Sequence, residues 1–237
     1  MTRRSLDRIL QSQGFGTRNT CRQLIRRGEV MIDGVVVDDE RAEFETDGLS
    51  FSLFDETWVY REHVYIALNK PSGIECSRRP SHHPSVMTLL PDEFREREVQ
   101  AIGRLDHDTT GLLLLTDDGA FNHRMSSPKH HVPKRYLATT AEPVSASLID
   151  ALRKGVQLHD EPEPLFAIEC VQVAEHQLEI VLAQGKYHQV KRMLAAAGNH
   201  CAALQRISIG QLSLASLELA EGEWCYLEEN HLTLLQI

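Results

Sequence analysis

The chain has no apolar run near the roughly 20 residues that a membrane-crossing helix requires, which excludes a helical membrane protein. Its basic N-terminus is not followed by an apolar block or a small-residue cleavage site, so no signal peptide is expected. The five cysteines (Cys21, Cys76, Cys170, Cys201 and Cys225) are odd in number, scattered and never spaced Cys-x-x-Cys. That argues against a disulfide framework or a cysteine-built zinc site, and for reduced thiols in a cytosolic protein. The twelve histidines include the pairs His82–His83 and His130–His131, but neither pair has metal-ligand spacing on a helix. Solvated or phosphate-facing imidazoles, and no metal, are expected. There is no P-loop and no dinucleotide fingerprint, so nothing points to ATP or a nicotinamide. Internal repeats and low-complexity tracts are absent too.

Positive charge is in short supply overall, with 25 Lys and Arg against 34 Asp and Glu for a net charge of −9. Such a balance counts against a nucleic-acid partner until its distribution is considered. Residues 1–27 carry seven arginines against one acid, Asp7, a local charge of +6; residues 28–60 carry one arginine against ten acids, a local charge of −9. Because salt screens charges beyond about 8–10 Å, a basic patch can bind phosphate whatever the distant total.

Leu6, Ile9 and Leu10 have helical spacing, and Gly14 should end that helix. Thr17 is a candidate N-cap for a second helix, with Cys21, Leu24 and Ile25 inward and Arg18, Arg22 and Arg26 along one outward stripe. Gly28 closes it. Val30–Ile32 and Val35–Val37 then read as strands joined at Asp33-Gly34, a strong hairpin signal. The acidic stretch Glu40–Glu62 reads as the end of this module plus a linker. A second domain should open with an alternating strand at His63, stopped at Pro71. Further strands are expected at 112–116, 135–140, 165–173, 177–183 and 206–214, with helices near 120–126, 145–154 and 187–197. Strands and helices do not alternate strictly, which predicts an α+β fold with a mixed, mainly antiparallel sheet. The expected division is 1–60 and 61–237.

The most informative segment is Gly103-Arg-Leu-Asp-His-Asp-Thr-Thr-Gly-Leu-Leu-Leu-Leu-Thr-Asp-Asp-Gly119. Leu112 to Leu115 is too short to span a membrane and is bounded by glycines, so it reads as a buried strand. A carboxylate just before such a strand, Asp106, with Arg104 two residues away, can be held at the rim of a cleft, although on spacing alone a surface turn rich in Asp and Thr is the favoured reading. Ser126-Ser-Pro-Lys-His-His-Val-Pro-Lys-Arg-Tyr136 gathers Lys129, His130, Lys134, Arg135 and one aromatic, a composition suited to gripping phosphates and stacking a base. Gly185-Lys-Tyr-His-Gln-Val-Lys-Arg-Met193 adds Lys191 and Arg192.

These three segments, with Leu68-Asn-Lys-Pro-Ser-Gly73, resemble the motifs of the pseudouridine synthases. Residues 4–50 resemble the alpha-L RNA-binding motif, a small module known from a ribosomal small-subunit protein. Ser-Pro-Lys-His-His, Lys-Gly-Val-Gln-Leu-His and Gly-Lys-Tyr-His-Gln-Val-Lys-Arg-Met resemble the branch that modifies a uridine of 16S rRNA. The resemblance implies a cofactor-free, redox-neutral isomerisation of a flipped-out uridine. It implies that Asp106 is nucleophile or base at the sugar–base junction and that Tyr136 stacks on uracil. Lys191, where many relatives carry Arg, would pair with Asp106, with Arg192 as competitor. Arg104 would help fill the space the base vacates. RNA contacts are expected from Arg18, Arg22, Arg26, Lys129, His130, Lys134, Arg135 and Arg192. The chain departs from the family at Leu204-Gln-Arg-Ile-Ser-Ile-Gly210, where a His before the Arg and a basic residue at Ser208 are usual. The implied setting is a cytoplasmic monomer acting on 16S rRNA in a small-subunit assembly intermediate. The alternatives are a non-catalytic RNA-binding assembly factor and a synthase acting on large-subunit rRNA.

Overall fold

The computed structural model describes residues 2–127 and 132–235, and the chain divides into two compact units: 1–64 with 90–99, and 65–89 with 100–237. The first unit contains β1 (Arg3–Ser5), α1 (Leu6–Ser12), α2 (Arg18–Arg26), β2 (Val30–Ile32), β3 (Val35–Val36), β4 (Glu43–Glu45), β5 (Ser50–Leu53), β6 (Glu56–Val59) and α3 (Glu93–Glu96). Its core is the apolar face of the two helices, Leu6, Ile9, Leu10, Cys21 and Ile25, packed with Phe51 and Leu53. Thr17 caps α2 by accepting from the Thr20 backbone N–H, as its position predicted. Asp33 and Gly34, with φ of 51° and 75°, form the predicted tight turn between β2 and β3.

The stretch expected to be a linker is not one. Residues 43–59 supply β4, β5 and β6, and the second sheet of the unit runs β3-β2-β5-β6. The turn between β5 and β6 places Phe54 and Asp55 at φ of 53° and 64°, a left-handed conformation that suits Asp but that a Phe does not advertise. The segment 90–99 also belongs by its contacts to this unit, although 25 residues of the other intervene.

The second unit contains β7 (Tyr65–Lys70), β8 (Gln100–Ala101), β9 (Thr110–Thr116), α4 (Gly119–Ser126), β10 (Lys134–Thr140), α5 (Ala146–Lys154), β11 (Glu169–Ala174), β12 (Gln177–Leu182), α6 (Gln189–Ala196), β13 (Cys201–Ile209), β14 (Leu212–Ser213), α7 (Leu214–Leu217), β15 (Trp224–Tyr226) and α8 (Glu229–Thr233). The sheet order is β11-β12-β10-β13-β9-β7-β15, with β14 on β13 and β8 on β9. Only β13 and β9 pair in parallel, so the sheet is mixed and mainly antiparallel, as expected. Leu112 to Leu115 are at most 1% exposed and lie in a central strand. β7 does not alternate: Ile66 to Lys70 are all buried, because a strand paired on both edges and covered on both faces has no solvent side. The strand expected over 165–173 begins only at Glu169, Leu165 making an isolated bridge to Val156. The one expected over 206–214 begins earlier, at Cys201, and breaks at Gly210.

Candidate active site

Asp106 lies on the loop between β8 and β9, and three attachments fix that loop. The Lys70 side chain, fully buried at the end of β7, donates to the carbonyl oxygens of Pro71 (2.9 Å), His107 (3.2 Å) and Thr109 (2.9 Å). All three ammonium protons are thereby used. Burial pushes the Lys70 amine down, against the attraction of carboxylates including Asp108 and Asp106. The Gly73 N–H donates to the His107 carbonyl at 2.8 Å, and the Leu105 N–H donates to Cys76 Sγ at 3.5 Å. Leu105 itself is buried, so the chain on either side of Asp106 is anchored while its carboxylate stays one-quarter exposed.

Two cationic or potentially cationic groups meet that carboxylate. Lys191 Nζ, from the first turns of α6, is 3.1 Å from Oδ2 and also 2.6 Å from Asp108 Oδ1. His188 Nε2 is 3.0 Å from Oδ1. One point-charge ammonium with three donors serves both carboxylates, a task for which a rigid guanidinium fork is not required. Burial works against the charged Lys191 amine, but its bonds to Asp108 and Asp106 outweigh this and push it up. Asp108 is likewise burdened by burial, yet held below the usual carboxylate range by Lys191. His188 occupies the position before α6 in a left-handed conformation, φ 45°. That backbone state is costly for a β-carbon-bearing residue and brings the imidazole to Asp106. Tyr187, 74% exposed, stacks on His188 with ring centroids 3.8 Å apart.

A pocket of about 60 Å³ opens at Asp106, walled by Arg104, Tyr136, Gly185, His188, Val190 and Leu204. Beside it lies a cleft of about 820 Å³ lined by Asp106, His82, His83, His107, Tyr187 and His188. His82 and His83, expected to be solvated or phosphate-facing, line this cleft, while His130 and His131 lie outside the described residues. The loop of His82 and His83 is folded around Glu75, whose carboxylate accepts the backbone N–H groups of Ser81, His82 and His83 and is pulled down to about 2 by those bonds.

Of the residues singled out in the sequence, the structure brings Arg104, Asp106, Tyr136 and Lys191 together. Lys134 lines an adjoining cavity that shares Tyr136 and Arg104. Arg192 is not at Asp106: it pairs with Asp160 and donates to the Tyr187 carbonyl at 2.9 Å. Arg135 points away from the pocket and bonds Glu169 (2.7 Å) and Glu179 (3.1 Å), since neighbours along a strand face opposite sides. Lys129 and His130 lie outside the described residues. In the first unit the arginine stripe is tied to acids: Arg18 and Arg22 donate through Nε to Asp7 at 2.7 and 2.8 Å, and Arg26 pairs with Glu40 at 2.6 Å. Lys70, Asp108 and His188 were not found from the sequence. Each lies inside one of the quoted motifs, Lys70 in 68–73, Asp108 in 103–119 and His188 in 185–193, and that membership was the signal that could have found them.

The RNA pseudouridylate synthase family model matches residues 64–196, and the S4 domain model matches residues 4–43. A ribosomal small subunit pseudouridine synthase A of Escherichia coli strain K12 is 38% identical over 229 residues, 96% of this chain and 97% of the relative. An uncharacterised RNA pseudouridine synthase of Bacillus subtilis is 37% identical over 233 residues, 97% of each chain. A pseudouridylate synthase crystal structure superposes with a TM-score of 0.68 at 35% identity, covering 98% of this chain and 99% of that one. None of the described helices is long and apolar enough to cross a membrane. With a motif-borne aspartate at a pocket beside an aromatic wall, an S4 module ahead of it and full-length relatives of one kind, the chain belongs to the RNA pseudouridylate synthase family and is an isomerase.

Proposed function

We propose that the protein isomerises a uridine of 16S rRNA to pseudouridine, working as a cytoplasmic monomer on a small-subunit assembly intermediate. The observation that carries the reading is Asp106, pinned at the pocket with Lys191 and His188 on its two oxygens. The 38% identity over nearly the whole length to a small-subunit synthase supports the choice of RNA. The reaction breaks the C1′–N1 bond and forms C1′–C5; N1 gains a proton and C5 loses one, so no redox partner or energy source is consumed. Asp106 acts at the sugar–base junction as nucleophile or base, with the Lys191 ammonium held 3.1 Å from its Oδ2. Tyr136 supports the flipped uracil, and Arg104, exposed at the mouth, fills the vacated stack. The small pocket at Asp106 must open toward its neighbours to admit a base.

Asp106→Asn should abolish pseudouridine formation while RNA affinity changes by less than a few fold, because phosphate contacts supply most of the binding. Pseudouridine mapping across both ribosomal subunits, in cells with and without the protein, reads the outcome. A modified site in large-subunit RNA alone would overturn the 16S assignment, and turnover by the pure variant would overturn the role of Asp106.

A further inference from the structure

Tyr136 lines both the Asp106 pocket and a second, adjoining cavity of about 460 Å³, whose deeper residues have no part in the reaction as described. Its walls mix apolar residues, among them Ile102, Leu114, Met125 and Ile209, with polar ones, and of its four cations, Arg104, Lys134, Lys186 and Arg206, two lie deepest in the sheet, Lys134 on β10 and Arg206 on β13. Arg206 is 2% exposed. Its Nε donates to the Leu112 carbonyl at 2.7 Å, but the buried Nη2 has no hydrogen-bond partner. Lys134 Nζ donates to the Val132 carbonyl at 3.0 Å. Among the described residues neither cation forms an ion pair with a carboxylate. Of the other cations that line the described pockets, Lys191 pairs with Asp106 and Lys186 with Glu161, and Arg104 lies at the open mouth.

The backbone is arranged to produce this pair. Lys134 and Tyr136 share a face of β10 by simple alternation. On β13, Arg206 and Ile209 are three residues apart and both line the cavity, which regular alternation would forbid. The register supplies the reason: Arg135 faces Ser208 but Tyr136 faces Arg206, so β13 carries one extra residue, a bulge that turns Arg206 onto the Tyr136 side. Burial and then the charge of Arg206 push the Lys134 amine down to about 8, as expected for like charges drawn out of water with nothing to neutralise them. Two cations without a carboxylate partner among the described residues, one of them with an orphaned donor, are a poor arrangement for the protein alone and a good one for an anion.

We propose that this cavity is a phosphate subsite in which Lys134 and Arg206 hold a backbone phosphate of the RNA next to the target uridine. The assignment rests on the RNA-isomerase reading and adds to it a fixed anchor for the flipped strand. The two cavities share Arg104, Tyr136, Gln184, Gly185 and Lys186 in their walls, so a nucleotide entering one places its flanking phosphate toward the other.

The decisive variant is Lys134→Met, which removes the charge and keeps the aliphatic stem. RNA affinity, measured over a range of salt, should fall about tenfold, as for one lost charge-assisted bond. The slope of log K against log[salt] should flatten by roughly 0.7–0.9. The free variant should melt no lower than the wild type, because a half-buried charge without a carboxylate partner has been removed; a lower melting temperature with unchanged affinity would make Lys134 a purely structural residue and overturn the proposal. An RNA carrying one neutral methylphosphonate beside the target uridine should lose the same factor with the wild type and nothing further with the variant. Full additivity of the two losses would overturn it. If inorganic phosphate raises the wild-type melting temperature but not the variant's, while RNA affinity is equal, the cavity holds a free anion and the RNA assignment falls. Should the wild type make no pseudouridine in this RNA, the isomerase reading fails instead, whatever Lys134 does.

Discussion

At the scale of single residues, Asp7 shows how a charge that looks like an exception becomes a support. It is the one acid among the first 27 residues, its side chain is fully buried, and it accepts from Arg18, Arg22 and the Ser5 hydroxyl. Burial by itself would raise its carboxyl, but those three bonds more than reverse this and hold it well below its ordinary value. A depressed carboxylate pKa means that the unfolded chain binds the proton more readily. The stabilisation is therefore present above the unfolded value of 3.8 and is lost as pH falls through the lower folded one. Asp7→Asn should cost roughly 2–3 kcal/mol at neutral pH, less than a wholly buried pair because both arginines are partly exposed. Hydrogen exchange of the α1 and α2 amides should show that loss, and should show the wild type, but not the variant, weakening below about pH 4. Arg18 and Arg22 were legible as a helical stripe; that they anchor a buried carboxylate was not, because periodicity gives a face and not a partner. His188 was hidden for a similar reason. Its approach to Asp106 depends on a left-handed backbone angle, which a histidine adopts more readily than most residues but too seldom to mark in a sequence. Lys70 read as part of an ordinary turn, because a lysine that spends all its protons on carbonyls has the same letter as one in solvent.

At the scale of elements, the strands that pin the site were legible where apolar runs were bounded by turn residues, as at Leu112 to Leu115, and obscure where a turn used unfavoured residues, as at Phe54-Asp55. The parallel pairing of β9 with β13 was not legible at all, since two short apolar strands carry no mark of their neighbour. That pairing depends on Gly111, which stands opposite Arg206 with φ of 98°. A β-carbon there would lie 2.3 Å from the Arg206 carbonyl oxygen, so the strands cannot stay at their present spacing with any other residue. Gly111→Ala should destabilise the second unit by roughly 3 kcal/mol or more, combining backbone strain with a backbone clash. It should also cut turnover beyond what the loss of folded protein explains, because Asp106 is five residues upstream in the same loop and strand. Urea unfolding followed at Trp224, with kcat measured on the folded fraction, separates the two effects; unchanged stability would mean that β9 and β13 are not held this closely.

At the scale of the molecule, the sign change between residues 1–27 and 28–60 was read as an exposed basic patch, and the structure qualifies it. Pairing of β1 with β4 sets Arg3 beside Glu43, and Arg4 and Arg26 reach Glu62 and Glu40. Much of the acidic stretch is thus the counter-charge of the basic one within a single unit. The same unit also claims Leu90–Val99, which a boundary near residue 60 would assign to the other. In that segment Phe94 is 2% exposed, and Arg97 donates to Gln13 Oε1 (2.9 Å) and to the carbonyl oxygens of Arg61 (3.0 Å) and Glu62 (3.2 Å). Gly14 packs so closely on it that a β-carbon would lie 2.2 Å from the Glu93 carbonyl oxygen. A fragment beginning at residue 65 therefore keeps the segment and loses what it packs on. It should bind a hydrophobic dye and aggregate at concentrations where the intact chain does not, as exposed apolar surface does. Phe94→Ser within the fragment should relieve much of that, while the same change in the intact chain should cost several kcal/mol, in the range for emptying a buried aromatic site. A fragment as soluble as the whole chain, with dye binding no higher, would show that 90–99 finds equivalent burial without the first unit and that the chain can be cut where the sequence alone suggests.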